Sequence, residues 1–464
     1  LGTADESAAR EKMGMQLEEL RQLVGTGEVD TVVVAMTDMQ GRLQGKRLDA
    51  EFFLNETLQA GTEGCSYLLG VDVDMNTVPG YVITSWDKGY GDFVLTPDLT
   101  TLVRTPWIDK TVFCHADLSW ADGSEVKEGP RNILTTQLQR AHDHGMIPFV
   151  GTELEFLLFR NSFEEARTKG YRGLTPANQY NVDYSILGTS RVEPILGRIR
   201  REMKAAGMAV ESVKGECNYG QHEIAFRYTE ARAKADEHVL YKLGAKEIAA
   251  QEGMSLSFMA KFNEREGNSC HIHLSATNEE GESLFAGQSG KRIPGASLLF
   301  EYAIAGLLAT MRDFALLYAP NINSYKRYVE GSFAPTAIAW GLDNRTCALR
   351  VVGHGASLRV ENRAPGGDVN PYLAIAAMVA GMVYGIENEL ELVPELQGNA
   401  YLADVPRMPG SLQEAKDLFS QSPVARATFS DAVVGHYVNM ADVEVRAFER
   451  AVTDWELVRS FERL

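Results

Sequence analysis

Apolar and polar positions change their spacing several times along the chain, and each change predicts an element. Leu17, Leu20 and Leu23 recur at helical spacing among charged residues, which predicts a helix within 6–25. "TVVVAMTDMQGRLQGKRL" reads as a strand, a turn at "DMQG" and a returning strand, hence a hairpin. Further strands are expected at "LTTLVRTP" and "TVFCHADLSW". The stretch "SWADGSEVKEGPRN" then has the Gly, Pro and Asp content of a loop. It places a domain boundary near residue 123, dividing 14–123 from 124–464.

Helices and strands alternate beyond that point. "PRNILTTQLQRAHDHG" predicts a helix closed by Gly145, followed by a strand at "FVGTELEFLLF". A helix is expected around 190–207, strands at "AVESVKGE" and "HEIAFRY", and a long helix over 229–251. Strands at "SLSFMAKF" and "CHIHLS", a helix over 295–318, strands at "CALRVV" and "SLRVEN", and a helical C-terminal block complete the pattern. The apolar run 371–386, "PYLAIAAMVAGMVYGI", is shorter than the roughly 20 residues that span a bilayer. It reads as a buried core helix. The fold class expected is α+β, with an antiparallel or mixed sheet whose one polar face lines a cavity.

The polar residues of that sheet carry the chemistry. In "GTELEFLLF", Glu153 and Glu155 alternate with apolar residues and share one strand face. Two residues of strand span roughly 6.6 Å, and two like charges at that distance repel by roughly 3 kcal/mol at an effective dielectric near 20. "CHIHLS" repeats the pattern with His271 and His273, "GECNYGQHEI" carries Glu216 and Glu223, and "LRVENR" sets Arg359, Glu361 and Arg363 on one face. A lone Glu on a strand usually faces solvent, and a lone His is usually structural. The repetition of paired charges in apolar strands shifts that balance, because buried charges need partners or a metal. A donor set of carboxylates with imidazole and no thiolate suits magnesium or manganese rather than zinc. Lys326 and Arg327 in "NSYKRYVEGSFAP", with Arg345 and Arg350 in "DNRTCALR", add a basic set able to clamp phosphate and carboxylate. Each arginine alone could serve surface solubility. Together with metal-binding carboxylates they are the parts of phosphoryl transfer.

Composition narrows the partners. A net charge of −18 argues against a nucleic-acid surface. Five cysteines without a C-x-x-C pair suggest neither a disulfide framework nor a zinc knuckle. With no apolar signal core in "LGTADESAAREK", the expectation is a reducing, cytoplasmic setting and no membrane contact.

The motifs "GTELEFLLF", "GECNYGQHEI", "GNSCHIHLS", "NSYKRYVEGSFAP", "DNRTCALR" and "LRVENRAPGGDVNPYLAIAAMVAG" occur in the order of the glutamine synthetase family, and the chain resembles its type I-like members along nearly its whole length. The resemblance implies an N-terminal β-grasp domain, a catalytic domain on an antiparallel sheet flanked by helices, and two stacked hexameric rings with sites between subunits. It implies ATP and two or three Mg2+ or Mn2+ ions. Glu155, Glu216 and Glu223 would hold the metal beside glutamate and amine. Glu153, His271 and Glu361 would hold the metal on the ATP phosphates. His273, Ser275 and Arg359 would touch the nucleotide, with Arg345 and Arg350 on the phosphates. Gly267, Arg327 and Arg363 would bind glutamate. The implied chemistry phosphorylates the γ-carboxylate of glutamate and lets an amine displace the phosphate.

Two departures bear on that amine. Where the family carries a glutamate just before "AP", this chain has Phe333, with Glu330 three residues earlier. Where the family has Asp-Gly-Ser-Ser, the nearest match is "EGCS", with Glu63 and Ser66. Losing a carboxylate weakens an ammonium site, and a phenyl ring packs an alkyl chain instead. The expected nucleophile is a small organic amine, with Glu63 or Glu216 as candidate base. Ethanolamine is favoured through the resemblance of "CSYLLGVDVDMNTVPGY" and "GLDNRTCALRVVGHG" to γ-glutamylethanolamide synthetase-like members. Polyamines and ammonium are the alternatives, and a non-catalytic relative or a guanidino phosphotransferase are the rivals. Tyr401 has no secure match to the tyrosine that some relatives adenylylate.

Overall fold

The computed structural model describes residues 15–464. The expected N-terminal helix is present over Leu17–Gly25, with Leu20 and Leu23 buried; the part of the expectation before residue 15 lies outside the described residues. The predicted hairpin forms from β1 (Thr31–Thr37) and β2 (Leu43–Asp49). Its turn is fixed by Asp38, whose carboxylate accepts from the amides of Gln40 at 3.0 Å and Arg42 at 2.8 Å. Gly41 supplies the left-handed backbone there, at φ +77°.

The first sheet adds β3 (Thr62–Cys65), β4 (Asp92–Pro97), β5 (Val103–Arg104) and β6 (Thr111–Ser119). Its order is β2-β1-β6-β4-β3, β5 also pairing with β6, and β1 runs parallel to β6. Most of "LTTLVRTP" is not strand. Asp98 accepts from the Thr100 amide and turns Leu99–Thr101 into a tight helical turn, leaving only Val103 and Arg104 paired.

The second sheet is built on β7 (Ile147–Phe159), followed by β8 (Val210–Gly215), β9 (Gln221–Phe226), β10 (Thr229–Glu230), β11 (Ser255–Ser257), β12 (Cys270–Thr277), β13 (Trp340–Leu342), β14 (Leu349–Val352) and β15 (Arg359–Asn362). The order is β13-β14-β15-β12-β7-β9-β8, with β10 and β11 on the ends of β7. Only β13 and β14 pair in parallel. "SLSFMAKF" is strand only at Ser255–Ser257, because the Asn268 amide takes the carbonyls of Ser257 and Met259. The helix expected over 295–318 is broken into Leu298–Thr310 and Ala315–Tyr318. Thr310 bonds back to the Gly306 carbonyl at 2.9 Å near the break, a contact that bends helices.

The apolar helix Pro371–Glu387 is buried on nearly every side, as expected of a core helix. No helix among the described residues is long and apolar enough to cross a membrane. Asn370 caps it and donates to the carbonyls of Asp38 and Met39, tying it to the hairpin turn of the first sheet. Arg131 makes a second tie. It donates to Asp98 at 2.7 Å, to Asp236 at 2.9 Å and to Asp117. One continuous apolar core runs through both sheets and the helices between them.

Candidate active site

Strand registry explains how residues far apart in sequence share one face. On β7, Glu153 stands opposite His271 of β12, and Glu155 stands opposite Glu223 of β9. His273 lies opposite Glu361 of β15, which lies opposite Arg350 of β14. On the other flank Lys214 of β8 lies opposite Glu223. The polar positions therefore cross the central strands as a band, while Leu154, Phe156, Ile272 and Ile224 fill the opposite face.

The band resolves into two groups. Glu155, Glu216 and Glu223 each present a ligand atom within 4.8 Å of the other two. Glu155 is oriented by the Ser269 amide at 2.8 Å and the Gln221 amide nitrogen at 3.0 Å. Burial, then the charge of Glu155, pushes the Glu216 carboxyl up to about 8. Burial and the charge of Glu153 raise Glu223 well above the usual carboxylate range. Lys214 alone offsets this, its ammonium touching Glu216. Burial disfavours that ammonium, but the Glu216 charge outweighs it and raises the lysine above its ordinary value. Three carboxylates so close, with one ammonium, form a donor set that a hard divalent cation fits.

Glu153, His273 and Glu361 form the second group, again with ligand atoms within 4.8 Å. His271 also reaches it: Nδ1 lies 3.3 Å from Glu153 and 3.4 Å from Glu361, while its Nε2 is buried without a partner. Sequence reasoning assigned His271 to a metal and His273 to the nucleotide. The geometry brings both imidazoles onto Glu153, with His273 Nε2 at 2.9 Å the nearer. Burial alone would raise Glu153, yet its bonds to His271 and His273 hold it far below the carboxylate range. Glu361 is likewise held down, to about 2, by His271 and Arg363 against the cost of burial. Glu153 and Glu155 thus belong to different groups, so the repulsion between them is divided between two separate sets of partners.

The arginines surround the second group. Arg350 donates to Glu361 at 2.8 Å, and Arg363 donates to the same carboxylate at 2.5 Å. Arg359 Nε lies 3.2 Å from His273 Nδ1. Arg327 is buried, bonding the carbonyls of Ala364 and Arg363 at 2.8 Å each, and its Nε has no partner. Beside it Gly267 admits no side chain: a Cβ there would lie 2.3 Å from the Ala260 carbonyl and 2.8 Å from Arg327.

Other expected residues stand apart. Ser275 is half-buried farther along β12, and Arg345 is exposed in the turn before β14. Phe333 is 56% exposed at φ +59°, its carbonyl accepting from Arg363 at 3.3 Å. Glu63 is exposed on β3, an edge strand of the first sheet, and its chain brings it to neither group. Ser66 is buried in the turn after β3 with its hydroxyl 2.8 Å from that of Thr84, so it is engaged by a loop of its own chain. Tyr401 bonds the Ala334 carbonyl at 2.9 Å and steadies the loop that carries Phe333. Sequence reasoning missed Lys214 and Gln221. Their signal was present, since Lys214 lies two residues before Glu216 and Gln221 two before Glu223, hence on the same strand faces.

The glutamine synthetase catalytic domain matches residues 127–460. The chain belongs to the glutamine synthetase family. It is 62% identical over 448 residues to the γ-glutamylethanolamide synthetase GlnA4 of Streptomyces coelicolor, covering 97% of this chain and 96% of that protein. It is 37% identical over 450 residues to a glutamate–isopropylamine ligase of a Pseudomonas species, covering 96% and 97%. A solved GmaS/ADP complex superposes with a TM-score of 0.84 at 24% identity, covering 96% of this chain and 99% of that one, a likeness of fold.

Proposed function

We propose that this family member is an ATP-dependent ligase joining the γ-carboxylate of L-glutamate to a small primary amine, ethanolamine before others, through γ-glutamyl phosphate. The observation that carries the reading is the pair of acidic groups side by side on one sheet face, ringed by Arg350, Arg359 and Arg363. The identity to an ethanolamine-using and an isopropylamine-using relative supports the choice of an organic amine.

In this reading Glu155, Glu216 and Glu223 would hold one divalent cation, and Glu153, Glu361 and His271 would hold another. When bound, Mg2+ or Mn2+ supplies neutralisation of phosphate charge and in-line alignment of the reacting oxygens. The residues of the chain do the rest. Arg327 and Arg363, with Gly267 leaving room, orient glutamate. Arg345 and Arg350 follow the phosphoryl group, and His273, Ser275 and Arg359 seat the nucleotide. Glu216 takes a proton from the incoming amine, or Glu63 of a neighbouring subunit does so. That second route requires the two stacked hexameric rings of the family, in which Glu63 on β3 and Ser66 just after it would reach a neighbour's site. The strand order of that sheet, with parallel central strands, supports its description as a β-grasp domain over 14–123 ahead of a catalytic domain over 124–464. We place the enzyme in the cytoplasm.

The amine follows from Phe333. A phenyl ring where a carboxylate would hold ammonium supplies apolar surface instead, and burying the two methylenes of ethanolamine is worth about 1.6 kcal/mol. The test is phosphate release with glutamate, ATP, Mg2+ and, in turn, ammonium, methylamine, ethanolamine, putrescine and spermine. Ethanolamine is expected to give the highest kcat/KM. A higher value with ammonium would make the protein a glutamine synthetase, and no phosphate release with any amine would remove the ligase reading.

A further inference from the structure

Beside the three-carboxylate group lies a lysine that the proposed reaction does not use. Lys214 lies near the end of β8 opposite Glu223, and Glu216 follows just beyond the strand. The Lys214 ammonium touches Glu216, lies 3.9 Å from Asp183 and sits 4.6 Å from the centre of the Tyr184 ring. Tyr184 is 70% exposed and held at φ +53°, so its ring stands at the mouth of this corner rather than in the core. Glu216 has two oxygens and can serve a metal and this ammonium together. A fixed positive charge is thus held by three partners at the edge of the group where the amine is proposed to react.

We infer that Lys214 selects the amine, donating a hydrogen bond to a hydroxyl on the far end of an amino alcohol and repelling the second ammonium of a diamine. The inference rests on the ligase reading above and names the substrate class for it. A diamine entering this corner brings its distal charge against Lys214, whose acidic partners are already engaged. A hydroxyl brings an acceptor that an ammonium donor satisfies. Rejection by like charge is a repulsive element of specificity and needs no tighter grip on the favoured substrate. Tyr184 and Asp183 act as positioning residues that keep the ammonium in place.

The test compares two amines of equal length, aminobutanol and putrescine, in the full-length enzyme, with ethanolamine as reference. Wild type is expected to favour aminobutanol over putrescine in kcat/KM. Lys214→Met should lower that ratio by about tenfold or more, and Lys214→Arg should keep the wild-type preference. Tyr184→Leu, which leaves β8 intact, should lower the ratio in the same direction by a smaller factor. It decides the matter should Lys214→Met fail to fold. An unchanged ratio in the folded variant, or a wild type that prefers putrescine, overturns the inference while leaving the ligase reading intact. A wild type that makes no γ-glutamyl amide from any amine removes that reading itself.

Discussion

Replacing Glu216 with glutamine should stabilise the protein without metal and make it less responsive to Mg2+. Glu216 ordinarily ionises near 4.5, but burial and the Glu155 charge raise it to about 8 in the folded chain. Near neutral pH the folded protein must keep this group neutral while the unfolded chain ionises it, which costs about 3 kcal/mol. Glutamine avoids that cost but forfeits the contact with Lys214, so the net gain expected in EDTA is about 1 to 3 kcal/mol. The sign with pH is fixed. A carboxyl whose folded value is raised favours folding below its unfolded value, and that advantage is lost as pH rises towards the folded value. The variant's lead over wild type should therefore be near zero close to pH 4.5 and reach its maximum near pH 8. Mg2+ should reverse the order, because a ligand at a hundred times its Kd adds about 2.7 kcal/mol to a protein that binds it, and glutamine is a poorer ligand. The assay is thermal or urea unfolding of both proteins in EDTA and in Mg2+, from pH 5 to 8.5. A variant less stable than wild type in EDTA at the alkaline end, or equal responses to Mg2+, would refute the reasoning.

Four further outcomes are expected. Gly267→Ala forces a Cβ to within 2.3 Å of the Ala260 carbonyl, so backbone or Arg327 must move; steady-state kinetics should show a raised KM for glutamate, with stability lowered by about 1 to 3 kcal/mol. Arg131→Met leaves the buried Asp236 without its guanidinium partner, while Asp98 keeps Arg232 at 2.8 Å, and urea unfolding should show a loss of about 3 to 5 kcal/mol. In the same unfolding series, Asp98 contributes to wild-type stability above about pH 4 and loses that contribution as pH falls towards about 2, where bonds from Arg131 and Thr100 hold it against the opposing effect of burial. Phe333→Glu should lower kcat/KM for ethanolamine by roughly tenfold, the worth of its buried methylenes, and raise that for ammonium; the amine panel measures both.

The central sheet was legible because charged residues recur at every second position within otherwise apolar strands, and that spacing located the acidic band. Glu153 with Glu155 and His271 with His273 could be placed on one face each without coordinates. Their partition was not legible. Whether Glu153 pairs with His271 or His273 depends on register between β7 and β12, which neither strand specifies alone. Strand β3, "TEGC", escaped notice because a charge and a glycine in four residues carry almost no strand signal, and its pairing comes from β4. "LTTLVRTP" misled in the other direction, since β-branched residues suggested a strand where the Asp98 side chain captured a turn. The break after Thr310 followed from one hydroxyl bonding back along its helix, a contact the apolar pattern does not register. Lys214 was visible as a residue yet not as a partner, because its role depends on Tyr184 arriving from a segment thirty residues earlier.

Activation of the glutamate side chain by phosphorylation between the two acidic groups is the central step of the proposed reaction. Glutamate labelled with oxygen-18 in its γ-carboxylate reports that step directly. Incubation with ATP, Mg2+ and ethanolamine should yield γ-glutamylethanolamide and phosphate carrying one labelled oxygen per turnover. Unlabelled phosphate accompanying amide formation would contradict it.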